Sequence, residues 1–212
     1  MRIDIISDVV CPWCLVGRRH LAQALAARPG LDPDIRWHPF ELNPEIPEAG
    51  LDRETYWREK FGDPARLAAM LSRLLEAGAG LGIDFDFEAI RVQPNTRRAH
   101  ELMHVATLHG RADAVADALF RAFFEQGRDL SRLETLAAIA GEAGLDAGEA
   151  EAALRERRYE LVVDAALAEV RRLGVSGVPT FVFDGRHALT GAQPPDVIGE
   201  VLDHLATGEA SD

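Results

Sequence analysis

Met1-Arg2-Ile3-Asp4-Ile5-Ile6-Ser7, then Cys11-Pro12-Trp13-Cys14, then Leu15-Val16-Gly17-Arg18-Arg19-His20-Leu21-Ala22-Gln23-Ala24-Leu25-Ala26: this N-terminal stretch decides how the chain is read. The first segment is alternating and β-branched enough to be a strand. The last has apolar residues at Leu15, Leu21, Ala22, Leu25 and Ala26, which is helical spacing. Between them stand the only two cysteines of the chain. Two thiols separated by two residues either close a small disulfide ring or share a metal.

Their place at a strand-to-helix junction favours redox chemistry. The first helical turn has unpaired N–H groups and the positive end of the helix dipole, and both favour a thiolate. Pro12 fits there, since the N–H it lacks would have no helical partner. The dipole supplies only ~0.3–1 kcal/mol, whereas one pKa unit is ~1.4 kcal/mol. Hydrogen bonds to the Cys11 sulfur must therefore supply the rest of any strong acidity. Cys11 is expected to be the exposed attacking nucleophile and Cys14 the buried resolving thiol. The Pro12-Trp13 dipeptide lies around the attacking sulfur, and the exposed flat face of Trp13 can stack on a substrate. Two other readings stand beside this one. The cysteines could be half of a tetrahedral zinc site completed by His100 and His104, four residues apart on one helix face. They could also be buried and inert.

With 212 residues the chain can bury a full core, as one large domain or two small ones. A net charge of −12 argues against nucleic acid or an anionic membrane as the main partner. No charged-then-apolar leader precedes the first strand, and no apolar run reaches the ~20 residues of a membrane span. A single CxxC fits a reducing compartment, so the cytoplasm is the expected location.

Further along, Asp34 to Phe40 suits a second strand, with Ile35, Trp37 and Pro39 on one face. A loop rich in proline and acid follows, from Glu41 to Gly50. From residue 52 to about 173 nearly everything is predicted to be helical. Asp63-Pro64 is an N-cap with a proline at the first helical position, opening a helix that ends in Gly78-Ala79-Gly80. Asn95-Thr96 precedes a helix that stops at Gly110. Ser131-x-x-Glu134 and Asp146-x-x-Glu149 resemble capping boxes. Phe120, Phe123 and Phe124 are core candidates; His20 and His38 are expected to be structural. Strands return at Thr180–Phe183 and His187–Thr190 around the hairpin signal Asp184-Gly185. Pro194-Pro195 opens a last helix. The order βαβ, helical block, ββα is that of an α/β thioredoxin fold with a large all-helical insertion. Residues 1–42 and 174–212 would form the discontinuous thioredoxin-like domain, and 43–173 the insertion.

Gly177-Val178-Pro179-Thr180 is a second signal for the same site. A proline entering a strand is unusual, because it cannot donate to the ladder. A cis Val178-Pro179 bond would explain it. In a thioredoxin fold this loop lies against the active-site helix and leaves the Val178 backbone free to pair with an extended substrate.

These motifs resemble the DsbA family of oxidoreductases. The resemblance rests on Cys11-Pro12-Trp13-Cys14, Pro39-Phe40-x-Leu42-Asn43-Pro44, Asn95-Thr96-x-x-Ala99-His100, Gly177-Val178-Pro179-Thr180-Phe181 and Gly191-Ala192-Gln193, and it covers nearly the whole chain. The most similar branch is the FrnE-like one, itself related to 2-hydroxychromene-2-carboxylate isomerases and kappa-class glutathione transferases. The resemblance implies a thiol–disulfide oxidoreductase with a redox pair at Cys11 and Cys14 and a cis Pro179. It implies substrate contacts from Pro12, Trp13, Phe40, Asn43, Asn95, Thr96, Val178 and Gln193. Asn95 and Thr96 either cap their helix alone or cap it while facing the cleft. Gln193 is either an ordinary loop residue or a holder for the γ-glutamyl end of glutathione. Secreted DsbA proteins have a leader and usually a histidine in the dipeptide, both lacking here. The isomerases and transferases have serine where this chain has Cys11, so a glutathione-dependent isomerase or transferase is the second reading. The implied reaction needs no metal or nucleotide. The implied partners are proteins or small molecules bearing disulfides or dithiols, with glutathione a candidate co-substrate and the chain itself a monomer or homodimer.

Overall fold

The computed structural model describes residues 1–207. The chain runs β1 (Arg2–Ser7), α1 (Pro12–Ala26), β2 (Asp34–Pro39), β3 (Leu51–Asp52), α2 (Arg53–Phe61), α3 (Pro64–Ala79), β4 (Val92–Gln93), α4 (Arg97–Leu108), α5 (Ala112–Phe124), α6 (Leu133–Glu142), α7 (Ala147–Arg155), α8 (Glu160–Arg172), β5 (Thr180–Phe183), β6 (His187–Thr190) and α9 (Pro195–Thr207). The main sheet has the order β2-β1-β5-β6. β1 runs parallel to β2, with Ile5 opposite Trp37, and antiparallel to β5, with Ile5 opposite Phe181. A parallel pair needs a crossover, which α1 supplies. The β5–β6 hairpin turns at Asp184 and Gly185, both with positive φ, as the Asp-Gly pair predicts.

Alternation along β1 sends Ile3 and Ile5 to one face. There they join Phe181 and Phe183 under Leu21 and Ala24 of α1 and Ile198 and Leu202 of α9, all buried. A second and larger cluster fills the helical block around Phe120, Phe123 and Phe124. It extends to Val9, Val10, Cys11, Cys14 and Leu15. The thiols therefore sit at the seam where the sheet's end meets the block.

Several local expectations are met. Asp63 accepts from the Ala65 N–H and Asp146 from the Glu149 N–H. Others need correction. The stretch from 52 to 173 is interrupted by an antiparallel pair, Leu51 opposite Gln93 and Asp52 opposite Val92. Ile83, Phe85, Phe87 and Ile90 are buried although they lie in a non-helical connection. Gly78 lies inside α3 because Phe85 packs on it: a Cβ there would meet the ring at 2.6 Å. The Ser131 capping box does not form. Ser131 donates to Asp129 at 2.6 Å instead, and Arg132 takes the N-cap position without a side-chain bond. Among the described residues no helix is long and apolar enough to cross a membrane. Residues 208–212 of the expected C-terminal segment lie outside the described residues.

Candidate active site

Cys11 is the N-cap of α1, extended at φ −93° and ψ 109°, and Pro12 takes the first helical position. Its N–H donates to the Asp8 carbonyl at 3.0 Å, and its carbonyl accepts from the Cys14 N–H at 3.0 Å. The Cys11 sulfur is 3.7 Å from the Val178 carbonyl oxygen, to which a thiol there donates. The Val178-Pro179 bond is cis. Pro179 is buried and seats against Gly17, one turn beyond Cys14. A Cβ at Gly17 would lie 3.1 Å from both the Pro179 ring and Phe181, so only glycine admits the loop at this distance. The Gly191 N–H holds the Pro179 carbonyl from the other side at 2.8 Å.

Cys11 was expected to be exposed, and this is corrected: it is 5% exposed, against 2% for Cys14. Both thiols belong to the apolar cluster of the helical block, and Val178 packs against that cluster with its carbonyl beside the Cys11 sulfur. Trp13 is exposed as expected, at 37%. Burial holds the Cys14 thiol well above the ordinary thiol range, and the adjacent Cys11 adds to this. The Ser7 side chain and the Asp8 backbone act weakly the other way. Cys14 is therefore a protonated thiol behind the site, while Cys11 stands at the helix N-terminus.

Beneath the pair lies an acid that composition and motif do not single out. Asp8 is fully buried; one carboxylate oxygen accepts from the Leu42 N–H at 2.8 Å. The other is 3.5 Å from His100 Nε2, which is also 2.9 Å from the Phe40 carbonyl oxygen. The available signal was an acid inside the apolar run Ile5-Ile6-Ser7-Asp8-Val9-Val10.

The remaining candidates make their contacts within the chain. Asn43 is buried and accepts from the Tyr56 hydroxyl at 3.3 Å and from the Lys60 ammonium. Asn95 donates to the Ile46 carbonyl at 2.7 Å and accepts from the Arg97 N–H at 2.9 Å. It thus caps α4, while Thr96, the buried N-cap residue, makes no side-chain cap bond. Gln193 donates to the Thr190 carbonyl at 2.8 Å, and its own carbonyl is 2.8 Å from His20 Nδ1. His38 bonds to Asp4 at 2.8 Å. His104 packs against the Tyr159 ring at a tilt of 53°, and burial lowers its pKa. Among the described residues no group of three or more His, Cys, Asp or Glu is placed to hold a metal.

Residues 2–203 match the family described as DSBA-like thioredoxin domain. The protein YwbO of Bacillus subtilis is 29% identical over 203 residues, covering 95% of this chain and 96% of that protein. The crystal structure of a probable DsbA oxidoreductase from Streptomyces coelicolor superposes with a TM-score of 0.89 at 34% identity, covering 100% of this chain and 92% of the other. Two structures share the fold at lower identity. The cytosolic disulfide reductase DsbM of Pseudomonas aeruginosa, solved with GSH, has a TM-score of 0.68 at 20%, covering 98% and 100%. A 2-hydroxychromene-2-carboxylate isomerase has a TM-score of 0.73 at 18%, covering 98% and 97%.

Proposed function

This chain belongs to the DsbA-like thioredoxin family, and from that premise we propose that it is a cytoplasmic thiol–disulfide oxidoreductase working through Cys11 and Cys14. The observation that carries the reading is the arrangement at α1. Cys11 caps the helix beside the Val178 carbonyl, and Cys14 is a protonated thiol behind it. The Cys11 thiolate attacks a substrate disulfide, forms a mixed disulfide and expels one substrate thiolate. Cys14 then loses its proton and attacks the Cys11 sulfur. The second substrate thiolate leaves and the Cys11–Cys14 disulfide remains. The reverse sequence oxidises a dithiol.

Val178, Pro179 and Trp13 would meet the substrate directly, with Pro12 setting the path around the sulfur. Phe40, Asn43, Asn95 and Gln193 would shape the walls, since their polar groups are bonded to the chain itself, and the buried Thr96 would join them. In the proposed division, 1–42 and 174–212 carry the redox pair and 43–173 covers it. Glutathione is the proposed small-molecule co-substrate, in line with the GSH in the DsbM structure.

The test is reduction of an insulin disulfide, together with a Cys14→Ser variant whose mixed disulfides are trapped and identified. Turnover that needs both cysteines is the expected result. Retained turnover in Cys11→Ser would refute the assignment. The fold shared with the isomerase favours one other reading, a glutathione-dependent isomerase. Glutathione-dependent isomerisation without disulfide exchange would establish that instead.

A further inference from the structure

We propose that the cavity at the β2 end of the main sheet is a binding site for a small, neutral aromatic compound bearing a hydroxyl group, a simple phenol in chemical class. The cavity measures about 210 Å³ and is enclosed by the ends of β1 and β2 and by α4, α5 and α8. In the sheet, β1 lies between β2 and β5. The cavity and the Val178-Pro179 loop before β5 therefore flank the end of β1 from opposite sides. Neither cysteine lines the cavity. It is a second site, apart from the face where Cys11 meets the Val178 carbonyl.

The walls select the ligand. Val9, Trp37, Met103, Phe120 and Val163 give most of the cavity an apolar lining. The Trp37 and Phe120 rings stand 6.4 Å apart between centroids and 53° apart between planes. Tilted rings at this spacing accept a third ring in the same edge-to-face manner. The Met103 thioether adds a polarisable contact for it. An apolar cavity of about 150 Å³ holds benzene, so this one has room for a single ring and its substituents. The way in is beside α8, where Val162 lines the cavity and stays 45% exposed.

Two buried polar side chains in the lining call for a partner. Ser7 is 4% exposed and its hydroxyl has no hydrogen-bond partner. His100 is 5% exposed, and its Nε2 lies 2.9 Å from the Phe40 carbonyl oxygen and 3.5 Å from the Asp8 carboxylate. Facing two acceptors, Nε2 carries the proton of the neutral ring and Nδ1 is left to accept. A ligand hydroxyl suits either group, since it accepts from Ser7 or donates to His100. The other polar groups of the lining are taken. His38 bonds to Asp4, His104 packs against Tyr159, and Thr107 donates to the Met103 carbonyl. Among the described residues no lysine, arginine, aspartate or glutamate lines the cavity, and the Asp8 carboxylate stands next to His100. An anion would meet no cation there, so the ligand is neutral. Water alone is a poor filling, because each buried water needs about two to four polar partners and the apolar walls offer none.

The test is titration of the isotope-labelled protein with phenol, benzene and benzoate, followed by its amide NMR shifts. Phenol should bind saturably, and the amides it moves should map to α4 and α8 around the cavity. Benzene, which leaves Ser7 and His100 without a partner, should bind ~10-fold more weakly, the worth of about one hydrogen bond. Benzoate should not bind. Ala166 lines the cavity at a half-buried position of α8. Ala166→Trp should fill the space and abolish phenol binding at an unchanged unfolding midpoint. Should that variant fail to fold, the wild-type shift map decides alone. Cys11→Ser should bind phenol as the wild type does. No saturable phenol binding, shifts centred on Cys11 and Val178, or benzene or benzoate binding as tightly as phenol would each overturn the proposal. None of these results bears on disulfide exchange, which the insulin assay tests by itself.

Discussion

Cys14 offers a direct check on the residue assignments, because its folded-state pKa is raised by burial. Below the unfolded thiol value of about 8.5, both states hold the proton and its contribution to stability is complete. As pH rises above that value the unfolded chain releases the proton first, so stability falls until the folded-state pKa is passed. Urea unfolding of the reduced protein from pH 7 to 10 should show this loss, and Cys14→Ser should remove it. A second prediction concerns reactivity. Limiting iodoacetamide near neutral pH should alkylate Cys11 and spare Cys14, as peptide mapping will report. Preferential labelling of Cys14 would reverse the roles. The pair and the proline loop were legible in the sequence because each is a local motif. Asp8 and His100 were not read as partners, since nothing in two distant segments announces that their side chains meet. The burial of Cys11 was not legible for the same reason: the cluster that encloses it comes from distant segments, and the carbonyl beside its sulfur is 167 positions away.

At the scale of elements, the contact between α1 and the loop entering β5 is made through the missing side chain of Gly17. Alanine would gain ~1 kcal/mol in helix propensity. It would also press a methyl group to 3.1 Å from Pro179 and Phe181, where overpacking costs about 1–3 kcal/mol. Gly17→Ala should therefore be destabilising by roughly 1 kcal/mol and should alter exchange rates at Cys11, measured by urea titration and by the rate of insulin disulfide reduction. A stabilised variant with unchanged kinetics would show that the loop yields freely. Helix starts marked by Asp63 and Asp146 were legible because the cap residue bonds within its own turn. The strand pair β3–β4 was not legible. Each strand is two residues long, too short for a period, and its existence depends on a partner some forty residues away. Ser131 satisfied the capping pattern, yet Asp129 offered its hydroxyl a nearer acceptor.

Across the whole molecule, arginines tie the 41–48 loop to the helical block. Arg97 bonds Glu41, and Arg98 and Arg157 both reach Glu48. Arg157 also stands 3.1 Å from Glu101, whose side chain is wholly buried and whose pKa is raised by that burial. Arg157→Ala would leave this carboxylate without its cation, at a cost of about 3 kcal/mol. Without the cation the Glu101 pKa rises further, so the deficit should be largest near pH 7. It should shrink as pH falls through the raised folded-state pKa of Glu101 in the variant and be gone below that of the wild type, because the unfolded state is the same in both. Thermal unfolding of both proteins across that range decides the matter; a deficit independent of pH would mean the loss comes from packing alone. The chain's overall plan was legible because strands and helices alternate as the fold requires, whereas the ion pairs depend on side chains that meet only after folding. That plan also sets an order of events during synthesis. Cys11 leaves the ribosome 167 residues before the valine whose carbonyl lies beside its sulfur. At ~5–20 residues per second, a nascent chain presents a bare, uncovered CxxC for roughly 8–33 seconds. Oxidant encountered in that interval acts on thiols that the finished protein keeps covered, so the translating ribosome is the stage at which this site is most open to unwanted partners.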